Sequence, residues 1–160
     1  VSSTPVRMAA NGGGRPPWNL AVGCDDGSVF LLAAHGGERA RIRLGALPVA
    51  ALTALAKGGW AAADRTQLTE LDVDGQIVWQ TPLESVVALG AGPVGAKCHV
   101  IAATLLGERY GLDARGGILW RDTRAQSPIT GDILVIPGER DRPVALFGLT
   151  ERRVQLLTLD

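Results

Sequence analysis

A nine-residue pattern recurs along the chain at a nearly constant interval, and it restricts the possible folds more than any other feature. Residues 71–79 and 112–120 align without a gap, with Leu-Asp, a variable pair, Gly, three further residues and Trp. Residues 32–40 keep the leucine and the glycine but have Ala33 and Ala40 in place of Asp and Trp. Leu159 and Asp160 match the start of a fourth copy. A period of about 40 residues is typical of repeat proteins whose units stack on one another.

Short apolar or alternating segments, separated by turn residues, fill each repeat. The first repeat is predicted to contain strands at 19–24, 28–34 and 38–44, joined by an Asp-Asp-Gly turn at 25–27 and a Gly-Gly turn at 36–37. Asp-Gly and Gly-Gly between apolar segments are typical of β-hairpins, because tight hairpin turns need positive φ angles. Each repeat is therefore predicted to be an antiparallel meander.

Three connecting segments, 48–55, 85–90 and 129–136, carry almost no charge. This composition is typical of an innermost strand that is buried on both faces. The alanine-rich residues 50–56 are also compatible with a helix. Pro48, the Gly58-Gly59 pair and the lack of a sustained helical period favour a strand there.

Together these features predict an all-β protein, a β-propeller of about four four-stranded antiparallel blades whose last blade is incomplete. Residues 1–17 are assigned to an N-terminal segment that supplies a first or a closing strand. Residues 18–160 are divided into repeats at approximately 18–55, 56–90, 91–136 and 137–160.

The repeated pattern resembles the tryptophan-docking motif of quinoprotein-like (PQQ-like) β-propeller repeats. Such repeats occur in quinone-dependent alcohol dehydrogenases, in an outer-membrane assembly lipoprotein and in many sensor and scaffold domains. The full motif is present at Asp72, Gly75 and Trp79, and again at Asp113, Gly116 and Trp120. The Gly-His and Trp-Asp dipeptides that mark WD repeats are absent from the corresponding positions.

Physical chemistry gives each of these motif residues a structural role. The glycine permits the tight turn between the third and fourth strands, and the tryptophan offers a flat surface for burial between neighbouring sheets. The aspartate accepts hydrogen bonds from backbone amides of its own turn, as in Asx-turns. All six motif residues are therefore predicted to be structural rather than to bind a ligand.

The resemblance raises the question of a quinone-dependent dehydrogenase, and the residues argue against it. The family's enzymes use eight blades, a calcium-type ion bound by acidic and amide side chains, a catalytic aspartate and often a vicinal cysteine pair. This chain has too few repeats for that ring, and its two cysteines, Cys24 and Cys98, lie in different repeats. His35 and His99 have no nearby nucleophile motif. The sequence predicts a protein that is not an enzyme, with no catalytic residue, cofactor or metal site.

Charge limits the choice of partners. Sixteen basic residues balance sixteen acidic ones, which argues against nucleic acid or an acidic lipid surface. Arg39, Arg41 and Arg43 alternate along one predicted strand, so period-2 spacing predicts an arginine ridge on one face. The ridge is interpreted either as a solvated outer strand protected from aggregation, or as a contact for an acidic partner or an anion.

The cysteines and the longest uncharged stretch bear on the compartment. Cys24 and Cys98 lie in apolar segments, where buried and inert thiols are expected, and their isolation favours a reducing compartment such as the cytoplasm. The longest uncharged stretch, at positions 44–56, is too short for a transmembrane helix and is interrupted by Gly45 and Pro48.

The leading functional prediction is a non-catalytic scaffold for protein–protein interaction, because stacked repeats create a broad loop surface and no cluster of titratable groups is evident. The alternatives are a sensory or regulatory module that binds a ligand in the central depression, and a degenerate quinoprotein dehydrogenase subunit. The incomplete last blade favours a propeller that is completed by another protein chain or by a second copy. A four-bladed ring closed by the N-terminal segment is the other possibility.

Overall fold

The computed structural model describes residues 6–7, 19–33, 35–92, 97–123, 129, 131, 133–136, 143–149 and 154–159, and these residues form β-strands and turns without a helix. The strands are β1 (Val6–Arg7), β2 (Asn19–Gly23), β3 (Ser28–Ala33), β4 (Glu38–Arg43), β5 (Ala51–Ala54), β6 (Trp60–Ala63), β7 (Gln67–Leu71), β8 (Ile77–Pro82), β9 (Val86–Ala91), β10 (Val100–Thr104), β11 (Arg109–Leu112), β12 (Ile118–Asp122), β13 (Leu134–Ile136), β14 (Val144–Gly148) and β15 (Val154–Thr158).

The strands form four antiparallel sheets in which sequence neighbours pair: sheet 1 (β1–β4), sheet 2 (β5–β8), sheet 3 (β9–β12) and sheet 4 (β13–β15). The predicted all-β architecture is therefore confirmed, with three strands in the last blade. The helical alternative for residues 50–56 is wrong, because β5 pairs with β6 across this segment.

The turns follow from the sequence signals. Gly27 and Gly36 have φ angles of 80° and 84°, which a residue with a Cβ rarely adopts, and they close the β2–β3 and β3–β4 hairpins. In sheets 1, 2 and 3 a β-bulge lies at the same place, one residue before the Trp position of the repeat. Arg39, Val78 and Leu119 are the extra residues of these bulges.

Each sheet has a forward face, which is turned toward the next sheet along the chain, and a rear face, which is turned toward the preceding sheet. Three buried clusters occupy the spaces between sheets 1 and 2, sheets 2 and 3, and sheets 3 and 4. Among the described residues, no buried cluster joins sheet 4 to sheet 1. The four sheets are therefore stacked as an arc with three internal interfaces.

In sheets 2 and 3 the first three strands are mostly buried, whereas the fourth strands, β8 and β12, are largely exposed. The first strands are neighbours across sheets, since β5 lies beside β9 and β9 lies beside β13. The prediction of buried innermost strands at 48–55 and 85–90 is confirmed by β5 and β9. The same prediction for 129–136 is wrong for β13, where Leu134 is 60% exposed, because no described residue covers that face of sheet 4.

Candidate interaction surfaces

The turns between the third and fourth strands of sheets 2 and 3 are held by their aspartates. Asp72 Oδ1 accepts hydrogen bonds from the amides of Asp74 and Gln76 at 2.9 and 2.8 Å. Asp113 Oδ1 accepts two bonds of 2.8 Å from the amides of residues 115 and 117. These amides hold the pKa of Asp113 below its usual range. Both carboxylates are thus directed at their own turn rather than at a shared site.

The glycines of these two turns lie against the preceding sheet. A Cβ on Gly116 would meet the Trp79 ring of sheet 2 at 2.7 Å, and Thr81 Oγ1 donates a 2.7 Å hydrogen bond to the Gly116 carbonyl. A Cβ on Gly75 would meet Ile42 of sheet 1 at 2.8 Å. In each case the turn of one blade rests on the outer strand of the blade before it, so we propose that the motif fixes how neighbouring blades dock.

A partly buried ionisable pair joins sheets 2 and 3. His99 Nε2 lies 3.1 Å from Glu70 Oε2, and both side chains are at most 14% exposed. Burial raises the pKa of Glu70 above its ordinary value, and the charge of His99 opposes this rise. The pair lies within a packed interface, so its arrangement indicates a structural contact.

We expect Glu70→Gln to change how stability depends on pH. A carboxyl whose pKa is raised on folding binds its proton more tightly in the folded state, so stability is lost as pH rises from the ordinary value of 4.5 through the raised one. Glutamine has no such loss. Urea unfolding at several pH values should therefore show the variant gaining stability relative to the wild type as pH rises, and a difference that shrinks would contradict the assignment.

The predicted arginine ridge is wrong in one respect. Arg41 and Arg43 share the rear face of sheet 1, but the β-bulge removes Arg39 from this alternation. Arg39 instead lines a small cleft next to Val73 and Asp74 of sheet 2. Period-2 spacing fails here because the bulge inserts one extra residue into the strand. A partner contact at these arginines stays a prediction.

Arg41 is part of an arrangement that sheet 3 repeats. Its guanidinium lies 4.9 Å from the centre of the Phe30 ring and 2.8 Å from an Asp26 oxygen. In sheet 3, Arg121 lies 5.5 Å from the centre of the Tyr110 ring. Tyr110 is nevertheless 7% exposed, because sheet 2 covers it. An arginine at this outer position is therefore compatible with a covered rear face.

The rear face of sheet 1 has the residues of an internal blade face. Four register positions on the rear faces of sheets 2 and 3 are at most 7% exposed: Trp60, Ala62, Thr69 and Leu71 in sheet 2, and Val100, Ala102, Tyr110 and Leu112 in sheet 3. The equivalent residues of sheet 1 are Leu20, Val22, Phe30 and Leu32. They are only partly buried, since no described sheet precedes them.

The forward face of sheet 4 is the larger exposed apolar surface. Cross-strand pairing places six aliphatic side chains on it: Leu134, Ile136, Val144, Leu146, Val154 and Leu156. Leu134, Val154 and Leu156 are 60%, 67% and 63% exposed. Contiguous exposed apolar patches of this kind mark interaction sites in soluble proteins.

Sequence reasoning did not single out this surface, although a signal for it exists. Residues 144–148 and 134–136 are apolar at consecutive positions, and such runs are typical of strands that are covered on both faces. Arg109 was also not singled out. It is fully buried between sheets 3 and 4, with its guanidinium 4.4 Å from the centre of the Phe147 ring and bonded to Gln155. No local pattern distinguishes Arg109 from a surface arginine.

The described part of the chain contains no group of three or more His, Cys, Asp or Glu side chains that is placed to bind a metal ion. His35 lies exposed in its predicted turn. Within the same residues there is no helix with the length and apolar character needed to cross a membrane. Two charged segments, 138–142 and 151–153, are predicted from their composition to be surface loops, and both lie outside the described residues.

The two thiols differ in exposure. Cys98 is buried as predicted, and burial raises its pKa to about 11. The prediction of a buried thiol is wrong for Cys24, which is partly exposed at the end of β2, next to the turn. We expect a thiol reagent in mildly alkaline buffer to modify Cys24 in the folded protein and Cys98 only after unfolding. Equal rates for both thiols in the native state would contradict this placement.

Three solved structures are similar to the chain over most of its length. Sqt1 from Saccharomyces cerevisiae matches with a TM-score of 0.73 and 12% identity, over 89% of this chain and 42% of its own. BBS1N, in a complex with ARL6DN, matches with a TM-score of 0.71 and 17% identity, over 89% of this chain and 47% of its own. The β-propeller domain of Swd1 (Cps50) from Myceliophteria thermophila matches with a TM-score of 0.65 and 21% identity, over 88% of this chain and 48% of its own.

The chain spans less than half the length of each of these solved chains. No protein-family model and no curated protein matches the sequence. At these identities the similarity establishes the fold alone. The chain therefore has a β-propeller fold, with three four-stranded antiparallel blades and one of three strands among the described residues.

Proposed function

We propose that the chain is a non-catalytic scaffold for protein–protein interaction and forms part of a larger propeller or multi-subunit assembly. One observation carries this proposal: the forward face of sheet 4 is apolar and exposed, while the forward faces of sheets 1, 2 and 3 are covered by the next sheet. Burying such a face stabilises an assembly by about 25 cal/mol for each Å² of apolar surface removed from water. A protein that covers it is the expected partner.

The comparisons support the same interpretation. One of the similar propellers was solved in a complex with another protein, ARL6DN. The propeller domain of Swd1 is about twice as long as the part that matches this chain. Further polypeptide, from another chain or from a second copy, is therefore proposed to complete the arc.

The repeat family is a separate proposal. The Leu-Asp-x-x-Gly-x-x-x-Trp pattern, with its aspartate bonded to its own turn and its glycine resting on the preceding blade, supports a quinoprotein-like repeat used as a scaffold. In that role the motif residues hold the blades together and bind no quinone.

A single charge on the exposed face tests the scaffold function. Leu156→Lys places an ammonium group on β15, where the leucine is 63% exposed, so the folded chain should be nearly unchanged in stability. We expect the affinity of the variant for its partner to fall at least about tenfold, because burying an unpaired charge costs more than about 1.4 kcal/mol. The measurement is affinity purification of the tagged protein from its own cells, with quantification of the bound proteins.

Leu106→Lys is the matched control. Leu106 is 77% exposed in the β10–β11 turn of sheet 3 and is not part of the forward face of sheet 4, so its replacement should leave the bound proteins unchanged. Equal recovery with both variants would exclude sheet 4 as the contact surface. A wild-type protein that recovers no partner at all would overturn the scaffold function.

A further inference from the structure

The size of the side chains on the forward face of sheet 4 and on the rear face of sheet 1 indicates which kind of sheet can cover sheet 4. Stacked β-sheets pack about 10 Å apart with interdigitating side chains, so large residues on one face pack best where small residues lie opposite them. The internal interfaces of this protein show how that requirement is met. The side-chain sizes on these three interfaces can be compared with those on the exposed forward face of sheet 4.

On the first two strands of sheets 1, 2 and 3, the forward face is made almost entirely of small residues. The described residues on these forward faces pack against the next sheet. They are Ala21, Ala51, Thr53, Ala61, Ala63, Ala88, Gly90, Ile101 and Ala103. On the same two strands, the rear faces opposite them carry larger residues, Leu52, Trp60, Leu89, Val100, Val135 and Phe147, which alternate with Ala62, Ala102 and Ala145. On these two strands, each internal interface thus places a forward face of mainly small residues against a rear face that carries large ones.

Sheet 4 reverses this order. The forward residues of its first two strands are Leu134, Ile136, Val144 and Leu146, followed by Gly148 at the end of β14. Four large aliphatic side chains stand where sheets 2 and 3 have mainly alanine and glycine. A rear face of the ordinary kind would overpack against them.

The size of the facing side chains argues against a second copy as the occupant. Head-to-tail association would bring the rear face of sheet 1, with Leu20, Val22, Phe30 and Leu32, against the forward face of sheet 4. Two copies of sheet 4 packed against each other would also place large residues against large residues. Neither arrangement reproduces the large-against-small packing of the three internal interfaces.

We propose that the forward face of sheet 4 binds a β-sheet from outside these 160 residues, one that carries Ala, Gly or Ser at the alternating positions facing Leu134, Ile136, Val144 and Leu146. The face continues the stacking direction of the three internal interfaces, so the occupant is a further blade. The similar solved chains, which are about twice as long as the part they share with this one, contain the polypeptide that such blades require. This inference rests on the proposed scaffold function and names its partner by shape and side-chain size.

Site-specific photo-crosslinking in the protein's own cells tests the inference. A Leu134→p-benzoylphenylalanine variant carries the crosslinker on the exposed face, and Leu106→p-benzoylphenylalanine carries it on the β10–β11 turn as a control. The crosslinked peptide is identified by mass spectrometry. We expect the Leu134 variant alone to shift in mass, with a crosslink to a β-strand segment that has Ala, Gly or Ser at alternate positions.

Three outcomes would overturn the inference. A crosslink to residues 19–33 or 134–158 of a second copy would show that sheet 1 or sheet 4 of another copy covers the forward face of sheet 4. A crosslink to a helix, or to a strand with large residues at the facing positions, would contradict the proposed shape but leave the scaffold function intact. Absence of any crosslink from Leu134 would show that no further blade covers sheet 4. The scaffold function would be contradicted as well only if the affinity purification also recovered no partner.

Discussion

Replacement of Trp60 by alanine is expected to destabilise the protein by about 3–5 kcal/mol, the range for truncation of a large aromatic residue in a core. Trp60 is fully buried on the rear face of sheet 2, where it fills the space between sheets 1 and 2. Alanine leaves a cavity that β6 cannot close, since Ala61, Ala62 and Ala63 beside it offer no larger side chain. Urea unfolding followed by circular dichroism measures the loss.

Trp60→Phe is the control for cavity size. The indole Nε1 of Trp60 is buried and has no hydrogen-bond partner among the described residues, so phenylalanine removes an unpaired donor and keeps most of the volume. We expect this variant to retain most of the stability that Trp60→Ala loses. Equal losses for the two variants would show that the ring volume is not what the interface requires.

Gly111→Ala is expected to have the second largest effect, near the upper end of the roughly 1–3 kcal/mol found for overpacked cores. Gly111 pairs across the strands with Trp120, and a Cβ added at Gly111 would overlap atoms of the indole ring. The ring has little room to move, because it packs against the cluster between sheets 3 and 4. The free energy of unfolding from urea titration gives the cost.

A double-mutant cycle shows whether the ring is the cause. In a Trp120→Leu background the overlap is removed, so Gly111→Ala should cost much less than in the wild type. Gly37→Ala serves as a position control, because its nearest neighbour is the exposed His35 ring, which can turn away. A cost at Gly111 that is the same in both backgrounds would assign the effect to the backbone instead.

Local sequence signals were sufficient for most of the architecture. Asp-Gly and Gly-Gly turns define hairpins through the φ angles that they permit, and β2, β3 and β4 lie within the predicted segments. The pattern around Asp72 and Asp113 likewise has a local cause, since each carboxylate bonds amides within its own turn.

Features that depend on neighbouring sheets could not be predicted in the same way. The bulge at Arg39 changes which face an arginine occupies without any change in the alternating sequence. Leu134 and Ile136 have the composition of buried residues, but exposure depends on whether another sheet lies against them. The burial of Arg109 is set by Phe147 and Gln155, which lie far away in the sequence and belong to another blade.

The three separate clusters between consecutive sheets also determine how stability is distributed along the molecule. Among the described residues, the buried clusters join each blade only to its neighbours in sequence, so the free energy of folding is approximately a sum of blade terms and nearest-neighbour terms. Sheets 2 and 3 have two such neighbours, whereas sheets 1 and 4 have one each within the arc. The terminal blades should therefore fray before the middle ones, and a partner that covers sheet 4 would act as a cap that extends cooperative folding to the end of the stack.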